Sequence, residues 1–264
     1  MNEFQKMLVI FRYQFRNYIR GKRILIMFLI TFLMALTLGL VMIFSVDTSA
    51  LSSLEFAKMW LAPISFLTVL AAIFFAGDAI SGEFHTGTAY YLLPNPVRRE
   101  SIFFGKYLAS FLAALIGIGL YWCVSFGAIL YLYSTIKIEI LESLGLNVLY
   151  LASIIALTYF FSSLFKNSTV SIVMTFIIYL FVFSIVDSIA VFSGFEPWYS
   201  ITYASQVITL VLTPNYQHIV KISRGKMVFY SFQPYIWEGI VIMVAYLIIS
   251  TVISLLLFVR KEVT

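Results

Sequence analysis

Residues 24–46 carry no charge, and that stretch constrains the fold of this chain more than any other feature. About 20 consecutive apolar residues cross a bilayer as a helix. Inside such a layer the backbone must satisfy its own hydrogen bonds, which leaves helices and closed barrels as the only spanning structures. Runs of similar character recur at 59–77, 107–136, 143–165, 169–192 and 239–259. The expectation is an all-α integral membrane protein with six transmembrane helices, its 264 residues forming a single membrane domain. Composition agrees, with 62% apolar and 11% charged residues against roughly 25% charged in soluble domains. The 107–136 run exceeds what crossing requires, so it tilts or projects beyond the bilayer. Gly117, Gly119 and Gly127 within it either admit a neighbouring helix closely or only tune packing. Cys123, alone in its kind, excludes an intramolecular disulfide and reads as a small buried apolar residue.

Residues 3–20, EFQKMLVIFRYQFRNYIR, are too charged to span. On a helical wheel Phe4, Met7, Leu8, Phe11, Phe15, Tyr18 and Ile19 fall within about 120° of arc, with Arg12, Arg16 and Arg20 aligned on the flank. That pattern describes an amphipathic N-terminal helix lying in the membrane interface, its arginines reaching lipid phosphates. Val9 and Ile10 sit off the stripe and suggest a second contact, with protein. A cleaved signal peptide does not fit, because the basic lead is long and no A-x-A site follows it.

Between the runs lie a polar loop from Asp47 to Lys58, a second at 137–142, a tight turn at Lys166-Asn167-Ser168, and a long segment at 193–235. Within the last, Ile201 to Thr213 is apolar yet too short to cross, which describes a re-entrant or interfacial helix returning near Pro214. Lysine and arginine fix the orientation. With the N-terminus in the cytoplasm, 12 fall on inner segments and 5 on outer ones. A seventh span at 201–220 would put Arg260 and Lys261 outside, so both termini are expected in the cytoplasm of a multi-pass cytoplasmic-membrane protein. The net charge of +5 forms no basic stripe interleaved with exposed aromatics, so no nucleic-acid partner is expected.

The segment from Asp78 to Lys106, DAISGEFHTGTAYYLLPNPVRRESIFFGK, is too polar for hydrocarbon and reads as a structured aqueous loop. Ser81 is placed to cap a short helix carrying Glu83 and Phe84, and Pro94 and Pro96 end any helix beyond. The pattern formed by Ile80, Ser81, Glu83, Gly87, Thr88, Leu92, Leu93, Pro96, Arg99, Gly105 and Lys106 resembles the cytoplasmic loop after the second span of type-2 ABC transporter permeases. Tyr90 and Tyr91 depart from it, standing where that family often has an acid or a small residue. The string SSLFKNST at 162–169 is similar to the family's turn between spans four and five.

The resemblance implies a permease subunit of an ATP-driven exporter, pairing with a second copy or a similar permease. It implies an ABC ATPase docked on a cytoplasmic coupling helix between spans two and three. Ser81, Glu83, Phe84, Gly87, Thr88 and Tyr91 are the coupling candidates. Glu83 is read either as an exposed carboxylate pairing with a basic group on the ATPase, or as a charge offsetting the helix dipole. Phe84 and Tyr91 are read as apolar anchors.

No Walker A sequence occurs, so no cofactor is expected on this chain, and ATP with its magnesium belongs to the partner. No protease or esterase signature appears, and no catalytic residue is expected. His85 and His218 fall on opposite sides of the membrane, and neither has ligand spacing to a cysteine or acid, so no metal site is expected. Asp78 and Asp187 lie near span ends, where a structural role outweighs an ion relay. A secondary transporter or channel, and a membrane anchor that transmits motion without moving substrate, stand as alternatives. Scarce intramembrane charge favours an amphipathic or apolar substrate over a small ion.

Overall fold

The computed structural model describes residues 2–45, 51–85, 87, 97–224 and 227–261. The N-terminal helix, Glu3–Arg20, turns at Gly21 and Lys22 into span one, Arg23–Ser45. Lys22 takes a positive φ of 57° at this corner. Span two is built in pieces, Ser53–Trp60, Ile64–Ala76 and Ser81–His85. The expected loop from Asp47 to Lys58 is therefore helical from Ser53 onward. Ser52 and Glu55 cap that helix reciprocally, the Ser52 N–H donating to the Glu55 carboxylate at 2.8 Å and the Glu55 N–H to Ser52 Oγ at 3.3 Å. Pro63 separates the first two pieces, since its ring removes a donor and blocks continuous helix.

Span three, Arg99–Tyr133, is the longest helix and begins well before its apolar run. Span four is Ile138–Leu164. Span five covers Ser168–Phe192 and passes through a π-helical turn at Ile178–Phe183. Span six is Ile236–Arg260. All six are long and apolar enough to cross a membrane, and the protein is an all-α membrane bundle in its spanning part.

One element was not expected. An antiparallel hairpin joins β1, Ile219–Arg224, to β2, Met227–Phe232, in the segment between spans five and six. Arg224 pairs with Met227, and Gly225 and Lys226, the two residues between them in sequence, lie outside the described residues. A two-residue Gly-X link between β-branched and aromatic runs is a hairpin signal in sequence. The apolar stretch before it forms two short helices, Ile201–Ser205 and Val207–Leu210, packed against protein. Ser143 Oγ donates to the Ile208 carbonyl at 2.6 Å. A Cβ on Gly239 would lie 2.4 Å from Val207 Cγ1, so the start of span six admits this segment only because residue 239 is glycine.

Spans two, three and four form the centre, and span six packs along span four. Several polar side chains inside are paired across helices, as burial favours. Asn147 links Trp122 Nε1 (3.0 Å) to Thr68 Oγ1 (2.8 Å), and Ser153 Oγ donates to the Met243 carbonyl at 2.7 Å. Spans one and five turn long apolar faces outward, including Phe32, Leu36, Ile43, Phe181, Ile185 and Ile189. Of the three glycines at 107–136, Gly117 alone admits a neighbour, with Met27 Cγ 2.7 Å from where a Cβ would stand; Gly119 and Gly127 face open space. Cys123 is exposed on the outer face of span three, not buried as expected, because its helical position faces away from spans two and four.

Candidate functional site

The polar residues between spans two and three gather at one end of the bundle. Ser81 is fully buried and is the first residue of its helix, so it does not act as the expected cap. The cap comes instead from span four, whose Ser162 hydroxyl accepts the N–H groups of both Ile80 and Ser81 at 3.1 Å. These are donors that a helix start leaves without intrahelical partners. Gly77, just upstream, accepts from Ser171 Oγ of span five at 2.6 Å. A Cβ at Gly77 would stand 2.9 Å from Ile172, so the elbow after span two is pressed tightly onto span five.

Glu83 is not the exposed carboxylate expected. It forms an ion pair with Lys106 of span three, whose side chain is 6% exposed and also donates to the Ala79 carbonyl at 2.9 Å. Burial makes each charge the condition for the other, since an isolated ammonium there would be strongly disfavoured. Phe84 is half-buried, with the Lys261 ammonium 4.5 Å from its ring centre. Lys261 Nζ also donates to the Ser163 and Phe165 carbonyls at 2.9 and 2.8 Å, closing the open end of span four. Burial, with Lys166 nearby, pushes this amine down to about 8. His85 is exposed at the tip. Gly87 takes a positive φ of 73°, a conformation that glycine adopts without strain. Thr88 and Tyr91 lie outside the described residues, as do Leu92, Leu93 and Pro96.

Two more residues of the same pattern fasten other elements here. Arg99 Nη1 donates to the Val259 and Lys261 carbonyls at 2.6 and 3.1 Å, holding the end of span six. Gly105 receives the N-terminal helix: a Cβ there would lie 2.7 Å from the Met7 carbonyl oxygen and 3.1 Å from the Ile10 side chain.

The N-terminal helix docks through part of its apolar stripe together with Ile10 and Gln14, and leaves the rest of the stripe outward. Gln14 and Tyr18 are buried, and Ile10, Phe11 and Phe15 pack on the core. Tyr18 Oη donates to the Phe75 carbonyl at 2.6 Å and lies 2.9 Å from Ser110 Oγ, which lies 2.9 Å from Tyr159 Oη. Ile10 makes the predicted protein contact, whereas Val9 is exposed. Phe4, Leu8 and Ile19 point outward, and Arg12, Arg16 and Arg20 are exposed beside them. Sequence reasoning missed this division because half of the stripe serves protein packing. The buried Gln14, polar within an otherwise apolar face, was the available signal.

The two aspartates near span ends have structural partners. Asp78 grips Arg23 with both oxygens, at 2.8 and 2.5 Å, tying span two to the start of span one. Asp187 accepts from Ser200 Oγ at 2.8 Å and from the Thr202 hydroxyl, fixing the start of the first short outer helix. His218 is brought beside Glu196 and Glu238 at the opposite end of span six, a grouping that sequence spacing did not reveal.

Six apolar helices around a hydrogen-bonded interior, with a polar joint at one end, define a multi-pass integral membrane protein. The sequence matches the ABC-2 family transporter proteins over residues 8–263, and the chain belongs to that family. It is therefore a membrane permease of the ABC-2 type, a membrane subunit of a class that works with an ABC ATPase. A comparison with curated proteins gives no match.

Proposed function

We propose that this chain is the permease subunit of an ATP-driven exporter in the cytoplasmic membrane. Both its termini lie in the cytoplasm, and ATP and magnesium are bound on a separate ATPase chain. Ser81–His85 is the coupling helix through which that ATPase acts. The observation carrying this reading is the fastening of one short helix to four spans at once. Ser162 holds it to span four, Glu83–Lys106 to span three, and Phe84–Lys261 to the end of span six, while its backbone continues from span two. A push on so rigid a joint moves the spans rather than bending the loop. The partner contact then falls to His85 and to the residues following it, with Glu83 serving as the internal strut.

The outward apolar faces of spans one and five support packing against lipid and a second permease copy. The polar groups that link the spans across the middle of the bundle are neutral, which suits an amphipathic or apolar substrate better than a small ion. The test is reconstitution with a cognate ABC ATPase in nanodiscs. His85→Ala with Phe84→Ala is expected to leave the complex assembled and ATP bound, yet to remove substrate-stimulated hydrolysis. Stimulated hydrolysis at the wild-type rate in an assembled complex would refute the coupling role.

A further inference from the structure

The end of the bundle away from the N-terminal helix holds a second polar constellation that the permease reading leaves unused. Glu196 follows span five, His218 precedes β1, and Glu238 lies in the first turn of span six. Ligand-capable atoms of the three lie within 4.8 Å of one another, and all three side chains are half-buried. His218 Nε2 is 3.5 Å from Glu196 Oε2. In a tetrahedral zinc site with bonds of about 2.0–2.1 Å, neighbouring ligand atoms stand about 3.3 Å apart. Contraction by up to about 1.5 Å would therefore bring the set to bonding geometry.

Each of the three is also held from behind. His218 Nδ1 is 2.6 Å from the Gln233 carbonyl, so Nδ1 carries a proton, and Nε2 is the ring nitrogen that faces the carboxylates. The imidazole stacks on the Tyr235 ring at 4.3 Å, which fixes its plane. Glu238 Oε2 accepts the Tyr235 N–H at 2.9 Å, and Glu196 Oε1 accepts from the Tyr203 hydroxyl. A metal-binding histidine characteristically donates its far N–H to a carbonyl, and ligating carboxylates are in turn hydrogen-bonded. An ion pair between His218 and Glu196 accounts for one carboxylate; it does not account for the second.

The geometry points to a divalent transition-metal site, for zinc, formed by Glu196, His218 and Glu238. Imidazole with two carboxylates suits zinc rather than calcium or magnesium, which take oxygen donors alone. Three protein ligands leave a fourth position for water or an anionic group. The bound ion would clamp three separate segments, the chain after span five, the base of the hairpin and the head of span six.

The test needs neither transport nor the ATPase, so it stands or falls apart from the permease reading. The full chain, with its affinity tag removed, is stripped with EDTA in detergent, dialysed against zinc chloride, and its metal counted by mass spectrometry. Wild-type protein should hold stoichiometric zinc and unfold at a higher temperature with zinc than with EDTA. Glu196→Gln and Glu238→Gln keep side-chain size and hydrogen bonding. They should unfold as stripped wild type does, yet retain no zinc and show no zinc-dependent shift, as should His218→Ala. Zinc absent from wild-type protein, or retained by the glutamine variants, would overturn the assignment and leave a plain His–Glu ion pair.

Discussion

Glu83 and Lys106 illustrate how burial converts a weak interaction into a necessary one. On a surface such a pair contributes about 0–1 kcal/mol. With the ammonium 6% exposed, deleting its partner leaves a buried charge uncompensated, at about 3–5 kcal/mol. Glu83→Ala is therefore expected to lower the unfolding temperature in detergent markedly, whereas Glu83→Gln combined with Lys106→Met should recover much of the loss. Equal melting of Glu83→Ala and wild type would show that the pair carries no such weight. Lys261 gives a second prediction at this scale. Burial, with Lys166 nearby, pushes its amine from the ordinary 10.5 down to about 8 when docked. Between those values the docked tail binds fewer protons than the free one, so docking strengthens as pH rises through that window. Reductive methylation with 13C should yield one lysine resonance with a midpoint near 8, which Phe84→Ala moves upward if docking is lost.

Elements dock by what their glycines leave out. Gly105 receives the Met7 carbonyl where any larger residue would put a Cβ, whereas Gly119 on the same helix meets nothing within 4 Å. Gly105→Val should lift the N-terminal helix off span three and expose its exposed arginines, Arg12 and Arg16, to faster tryptic cleavage; Gly119→Val should leave digestion unchanged. The comparison also marks what the sequence could reveal. The six spans were legible because hydrocarbon length and charge exclusion act locally, along continuous residues. The Ser53–Trp60 helix was hidden, because Glu55 and Lys58 resemble loop residues until Ser52 is seen capping them. The hairpin was hidden because its six-residue strands carry a weak periodic signal beside the spans, although Gly225-Lys226 offered a cue. Within the joint, the residues of the motif were visible but their partners were not. Ser162, Lys106 and Lys261 come from other helices, and no spacing rule links them to Ser81, Glu83 and Phe84.

At the scale of the whole molecule the orientation is the first thing to measure. In a Cys123→Ser background, Lys137→Cys should react with a membrane-impermeant thiol reagent on intact cells, and His85→Cys only after permeabilisation. The reverse pattern would turn the molecule over and move the joint to the wrong side for an ATPase. Span three bears on a further property. Its 35 residues at about 1.5 Å each extend about 52 Å, while the hydrocarbon layer measures about 30 Å. The surplus at its start carries Arg99, Gly105 and Lys106, so any change in the tilt of this helix is transmitted directly to the joint. Bilayer thickness thereby becomes an input to the machine: in vesicles of stepwise longer acyl chains, coupled ATPase activity should pass through a maximum, while the same protein in detergent shows no such optimum.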